Sequence, residues 1–341
     1  MSPKREIKIF LPKKIAQTGG TSTFARNFKT GMEKRGFKVC FSWQKDYDVL
    51  LASPTAPLRY LIHAKINKRP ILHRLDGVYY PGSSAGWLWA ILNLQLSVIR
   101  NIFASSIIYQ SKYSQEACSK RLLPYQHKKP TSTIYNGVDT TIFSPKGTNK
   151  NLRDDPKQDI FISASRFRTK DQIIPLLNSF LIYQKKYNNN AKLLLIGPFE
   201  EQVTHIPKKY EGAPGVRFLG VVTHKELPTY LRTADIFLLT HKTPPCPNNI
   251  LEALACGLPI CGIADGAMPE LVTNGVEGEL VQESTRKTKE IAELLAQRLN
   301  IITKKQKEYS VHARKKALKE FTIETMLDKY ASLIRNATQS K

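Results

Sequence analysis

The sequence predicts an α/β protein built from two doubly wound domains, each a parallel sheet flanked by helices. Three observations predict it. Short apolar runs of strand length alternate with helical stretches of about 10–15 residues, the pattern of βαβ units. A polar stretch marked by Pro and Gly, KGTNKNLRDDPKQ, interrupts that alternation, which then begins again. At 341 residues the chain is also too long for one ordinary core. The apolar fraction of 41% excludes a disordered or fibrous chain.

In order, EIKIFLP reads as a buried strand and KKIAQTGGTS as a loop. TFARNFKTGMEKRG has apolar and small residues at helical spacing and ends in Gly36, a natural stop. KVCFSW, YDVLLAS, PILHRLDG and SIIYQS follow as strands with helical stretches between them. STIYNGVDTTIFSP gives a strand, an Asn-Gly turn and a proline, and the polar stretch after it is the expected linker. Beyond it DIFISAS is a strand, IIPLLNSFLIYQKKY a helix, AKLLLIG and VRFLG strands, and LPTYLRTA a short helix. DIFLLT, the helix NILEALACG, the strand PICGIA and a final helical segment complete the second unit. The expected boundaries are 1–145 for the first domain, with 320–341 packing back on it, and 153–319 for the second.

No run approaches the roughly 20 apolar residues that span a bilayer. The N-terminus MSPKREIKIFLP lacks the apolar region and cleavage site of a signal peptide. A cytoplasmic location is therefore expected, with peripheral membrane attachment as the open alternative. Cys40, Cys118, Cys246, Cys256 and Cys261 lack zinc-type pair spacing, no carboxylate–His cluster of metal-ligand type stands out, and reduced thiols are expected. The net charge of +24 favours anionic partners, such as phosphorylated substrates or acidic headgroups; a solvated, solubilising surface is the competing reading. Nucleic acid is not an expected partner, since no RNA- or DNA-binding motif or aromatic platform is present. Trp87 and Trp89, beside Lys65, Lys68, Arg69 and Arg74, read either as a membrane-facing patch or as part of the first core.

Four places carry candidate chemistry. Gly19 and Gly20 stand between a strand and a helix, where the backbone can approach an anion; a simple tight turn is the default reading. PCPNNILEALACGLPICG is more specific. The amides of Asn248, Asn249 and Ile250 would lie at the positive end of a short helix, closed by Gly257 and suited to a diphosphate. Glu252 could accept from a ribose diol, or could form a purely structural capping box with Asn249. SRFRTKDQ puts Arg166, Arg168 and Lys170 after the first strand of the second domain, where cations could neutralise a departing pyrophosphate or simply meet solvent. HRLDG places His73 and Asp76 at a strand end, as ligands or as satisfied turn residues.

These stretches resemble the retaining family 4 glycosyltransferases of the GT-B fold. GGTSTFARNFKTGMEKRGFKV, TIYNGVDTTIFSP, SRFRTK, VRFLGVVTHKELPTYLRTADIFLLT and PCPNNILEALACGLP carry the resemblance across both domains in order. It implies two facing Rossmann-like domains with an interdomain cleft and a C-terminal helix that crosses back. It implies transfer of a sugar from a nucleoside diphosphate sugar, a UDP- or GDP-sugar, to a hydroxyl acceptor with retention, and no metal or other cofactor. The acceptor would be a glycan, a glycolipid or a polyprenyl-phosphate-linked molecule.

Arg166 and Lys170, by the same resemblance, and Asp76 and His73, by their place at a strand end, are the catalytic candidates. The donor would be held by Gly19, Gly20, Thr21, Arg168, Val222, Asn248, Asn249, Ile250, Leu251 and Glu252. Val222 would lie near the base and Glu252 on the ribose, as the second glutamate of a Glu-x7-Glu pair. The first glutamate of that pair is absent: its place is Pro244. The basic loop also runs one residue shorter than its common form, which leaves Arg166 and Arg168 as alternatives for one role.

Overall fold

The computed structural model describes residues 6–14, 20–81, 86–125, 129–282 and 287–339. The chain forms two compact units, Met1–Gly137 with Ile323–Lys341, and Val138–Thr322.

The first unit contains β1 (Ile7–Phe10), α1 (Gly20–Glu33), β2 (Phe37–Cys40), β3 (Val49–Ala52), α2 (Leu58–Ile66) and β4 (Ile71–Leu75). It continues with α3 (Leu88–Val98), β5 (Ser106–Tyr109), α4 (Lys112–Arg121) and β6 (Thr131–Thr133). Its strands pair in parallel in the order β2-β1-β3-β4-β5-β6. Every residue of β3, β4 and β5 is buried, as strands covered on both faces must be.

The second unit contains β7 (Ile160–Ala164), α5 (Lys170–Lys186), β8 (Lys192–Ile196), α6 (Ile206–Lys209), β9 (Val216–Gly220) and α7 (Leu227–Leu231). There follow β10 (Ile236–Leu239), α8 (Asn248–Ala255), β11 (Ile260–Ile263), α9 (Met268–Leu271), β12 (Gly278–Val281), α10 (Thr288–Lys304) and α11 (Gln306–Glu320). The parallel order is β12-β11-β10-β7-β8-β9, so the winding direction reverses between β7 and β10. In sheets of this kind ligands bind outside the carboxyl ends of the strands at that reversal.

The chain ends in α12 (Ile323–Gln339), which belongs to the first unit. Its Tyr330 meets Phe28 of α1 edge-on at 5.2 Å, and Arg35 donates to Asp328 at 2.9 Å and to Glu324. Gly31 permits this approach, since a Cβ there would stand 2.1 Å from Leu327 Cδ1.

Three details differ from the sequence reading. The stretch 146–158 is no free tether. Lys150 N donates to Thr229 O and Thr233 Oγ1, and Arg153 pairs with Asp235 at 2.8 Å, all within the second unit. His73 is the middle residue of β4 rather than a strand-end residue, because β4 runs on to Leu75. Trp87 is 72% exposed, so it is not a core residue; Trp89 is half-buried. None of the five cysteines forms a disulfide, and burial pushes the Cys118 and Cys256 thiols up to about 12.

Candidate active site

At the reversal of the second sheet, β7 runs into α5 and β10 runs into α8. Local sequence drives each turn. Phe167 is fully buried and stacks on Phe199 at 4.7 Å, so its neighbours Arg166 and Arg168 are turned outward. Thr169 then caps α5 in a reciprocal box with Gln172, whose Oε1 also accepts from Arg168 N at 2.7 Å. Lys170 is therefore the first residue of a well-capped helix. It is exposed and makes no hydrogen bond or ion pair among the described residues.

The start of α8 is built differently. Its N-cap is Pro247, which offers no side-chain acceptor. Ile250 and Leu251 are buried, so only their backbone can face a ligand. Of the two readings of Glu252, the capping box with Asn249 does not form. Asn249 Nδ2 donates to Ala164 O at 2.9 Å, its Oδ1 accepts from Ile250 N at 3.0 Å, and Glu252 Oε1 meets His224 Nε2 at 3.1 Å.

Cross-links tie the two helix starts together. Besides the Asn249 bond, Thr240 Oγ1 donates to Gln172 O at 2.6 Å, Ser165 Oγ lies 3.2 Å from His241 Nε2, and Lys242 approaches Asp171 at 3.8 Å. Desolvation, with Arg168 nearby, holds the His241 imidazole at about 4, so it is neutral at pH 7. Arg166, Arg168, Lys170 and the residues from Asn248 to Glu252 thus gather at one edge of the second unit. Arg166 and Arg168 share Glu200, at 2.5 and 3.3 Å. Val222 is half-buried in the segment that follows β9.

The turn that holds Pro244 is tightly fixed. Thr243 takes a φ of 52° and donates its N–H to Asp265 Oδ2 at 2.9 Å, while Pro244 O accepts from Ala267 N at 2.8 Å. A non-glycine residue at positive φ is strained, and such strain concentrates at functional sites.

In the first unit Gly19 lies outside the described residues. Gly20 opens α1, and Thr21 Oγ1 accepts from Lys13 Nζ at 3.1 Å. His73 has no exposed surface. Its Nε2 lies 3.1 Å from Pro54 O, its Nδ1 has no hydrogen-bond partner among the described residues, and desolvation pulls its pKa to about 4. Asp76, just beyond β4, is held through Oδ1 by Arg74 and, at 2.5 Å, by Gln110 Nε2. Arg74 also donates to Asn136 at 3.1 Å and lies 4.0 Å from the Phe24 ring centroid. The sequence reading named the basic loop and the start of α8, which lie at one edge of the second unit, but missed His224, His241, Gln110 and the Thr169–Gln172 box. Only the last had a local signal, the spacing T-x-x-Q.

Two parallel six-stranded sheets with alternating helices are the GT-B fold. Residues 147–316 match the family model described as Glycosyl transferases group 1. The sulfoquinovosyl transferase SQD2 of Arabidopsis thaliana is 24% identical over 247 residues, covering 68% of this chain and 46% of the relative. A probable sucrose-phosphate synthase of Thermosipho melanesiensis is 30% identical over 213 residues, 58% of this chain and 45% of the relative. The chain therefore spans under half the length of these relatives. Among solved structures, Anabaena HepE in complex with UDP-glucose superposes with a TM-score of 0.76 at 19% identity, covering 97% of this chain and 100% of HepE.

Proposed function

We propose that the chain transfers a sugar from a UDP- or GDP-sugar to a hydroxyl acceptor with retention at the anomeric carbon. One observation carries the reading: an α8 start without a side-chain cap stands beside a cation-bearing α5 start at the reversal of the second sheet. The positive end of a helix and flanking cations together favour a diphosphate. HepE, a fold neighbour, is described with UDP-glucose, which supports the same donor class.

In this reading Lys170 and either Arg166 or Arg168 neutralise the diphosphate, with the amides of Asn248 to Leu251. Glu252 takes the ribose, and Val222 lies near the base. The bond from the anomeric carbon to the phosphate oxygen breaks, and the leaving diphosphate keeps the electron pair. The acceptor oxygen bonds to the same face of that carbon, and its proton passes to a phosphate oxygen. Cations and helix amides stabilise the charge that develops, so the step as proposed uses no metal. Gly20, Thr21 and Asp76 are proposed as ligand-binding residues of the first unit, considered by itself. His73 has no surface to offer a substrate and is left out of the proposal.

A thermal-shift panel of UDP-, GDP- and ADP-sugars tests this. A true donor at a hundred times its Kd adds roughly 2.7 kcal/mol, and a flat response across the panel contradicts the reading. Pro244 favours a second reading, a sugar-nucleotide-binding protein without turnover. Binding without hydrolysis or transfer of the donor by pure protein would establish it.

For the acceptor we propose a glycolipid or polyprenyl-phosphate-linked glycan at an anionic membrane surface. No described helix is long and apolar enough to cross a membrane. However, Leu58, Ile62 and Ile66 form an exposed stripe on α2, Trp87, Leu88, Ile91 and Leu94 are exposed on or beside α3, and Lys65, Lys68 and Arg69 lie close by in the sequence. Each Lys or Arg near an anionic leaflet is worth about 1 kcal/mol. Sedimentation with liposomes of graded anionic content should rise with lipid charge; binding indifferent to charge contradicts the proposal.

A further inference from the structure

The carboxylate of Glu252 is not a bare group at the edge of the sheet. Its Oε1 accepts from His224 Nε2 at 3.1 Å, and its Oε2 makes no hydrogen bond among the described residues. The glutamate is 8% exposed, whereas the His224 side chain is 49% exposed, so the imidazole reaches inward from the surface to the acid. His224 lies two residues after Val222, in the segment that follows β9.

The imidazole is itself restrained. Its ring meets the ring of Phe143 edge-on, with centroids 5.1 Å apart and planes at 63°. Phe143 is 2% exposed, and its backbone is clamped by two arginines. Arg314 Nη1 donates to Phe143 O at 2.9 Å, while Arg232 donates to Ser144 O at 2.7 Å and to Ile142 O at 2.8 Å. The arginines fix the loop, the loop fixes the ring, the ring fixes the imidazole, and the imidazole fixes one carboxylate oxygen. A glutamate has three side-chain torsions to freeze, and ordering such a flexible chain costs free energy. A partner that orders it beforehand leaves less of that cost to ligand binding.

We propose that His224 is a positioning residue: it holds Oε1 of Glu252 so that Oε2 is aimed at a ribose hydroxyl of the bound nucleotide. This rests on the nucleotide reading of the second unit. His224 touches neither the diphosphate nor the sugar in this account, and its effect is confined to recognition of the ribose. Phe143 acts one step further back, through His224.

The experiment compares the affinity of a nucleoside diphosphate with that of its 2′,3′-dideoxy counterpart, by calorimetry, for the wild-type chain and three variants. UDP and GDP serve as probes, each with its dideoxy form. A hydrogen bond to a charged group corresponds to about tenfold or more in affinity, so the wild type should prefer the ribose form by that factor. His224→Leu should reduce the preference to about threefold or less while leaving the dideoxy affinity within about twofold of wild type. His224→Gln, whose amide can donate to the same oxygen, should restore most of it, and Phe143→Leu should fall between.

Melting curves show whether each variant is folded. If His224→Leu keeps the wild-type preference, or weakens both nucleotides equally, the positioning role is overturned while the nucleotide reading stands. If no nucleoside diphosphate binds the wild type, the nucleotide reading fails, and the inference with it.

Discussion

The two helices that begin at the reversal of the second sheet start in opposite ways. α5 is closed on itself, with Thr169 and Gln172 each satisfying the other's backbone. α8 begins after Pro247 with no side-chain cap, and its polar residues are turned elsewhere, Asn249 to the end of β7 and Glu252 to His224. The difference teaches how one edge can be both rigid and receptive. α5 presents a fixed cation, Lys170, on a stable helix, and α8 presents a helix start whose N-cap, Pro247, has no side-chain acceptor.

The largest expected effect comes from the receptive half. Lys170→Ala and Glu252→Ala should each lower kcat/KM by the worth of a charge-assisted hydrogen bond, about 1.5–3 kcal/mol. The exposed Lys170 should leave the melting temperature nearly unchanged. Turnover that survives both substitutions would break the comparison, because neither helix start would then hold the donor.

Asn249→Ala links the two halves. It removes the bond to Ala164 O and leaves that carbonyl unpaired, at a cost of about 1–3 kcal/mol in stability. Nucleotide affinity should fall with it as α8 loosens from β7. A loss of stability with unchanged affinity would show that the tie serves folding alone.

Thr169→Ala addresses the closed half, where the expected loss is about 1 kcal/mol of stability, within the usual range for a lost cap. Nucleotide affinity should not follow it in proportion. If it does, α5's cap belongs to the site as well as to the fold.

A pH series sharpens the contrast with the first unit, where His73 is fully buried. The His73 pKa is lowered from 6.5 to about 4, so the fold favours the neutral ring. Its contribution is full above about 6.5 and is lost as pH falls towards about 4, where the folded ring also protonates. His241 acts in the same direction. The melting temperature should therefore drop over that acid window, and His73→Gln should flatten the drop. An unchanged acid slope in that variant would mean that the ring is not held neutral.

The smallest effect concerns Pro244. Pro244→Glu should alter the donor profile, while the freer unfolded chain costs about 0.4–1 kcal/mol. An unaltered profile across several sugars would mean that the sugar is gripped by other groups.

Much of this architecture was legible in the sequence, because β-period and helix-period patterns are local. The strand VRFLG, the helix NILEALACG and its closing Gly257 stand where the periodicity put them. The candidate site was legible as a set of loops but not as a set of partners. The spacing of Asn249 and Glu252 fits a capping box, yet both side chains are claimed by residues 85 and 28 positions away. Local spacing carries no information about such partners. His73 was misplaced for a related reason: the Gly after Asp76 marks a turn, but where a buried strand stops depends on its neighbours, β3 and β5. The Thr169–Gln172 box, by contrast, was present in the local pattern and was simply not read from it.

The central claim, that a nucleoside diphosphate lies against the starts of α5 and α8, is tested most directly by amide hydrogen exchange. The chain is compared with and without saturating UDP or GDP, with peptides that cover 165–173 and 246–255. The account predicts slowed exchange in both segments together, strongest at the amides of Asn248 to Leu251, and loss of that protection in Lys170→Ala at the same nucleotide concentration. Protection confined to other segments, or none under conditions where calorimetry shows binding, would contradict it.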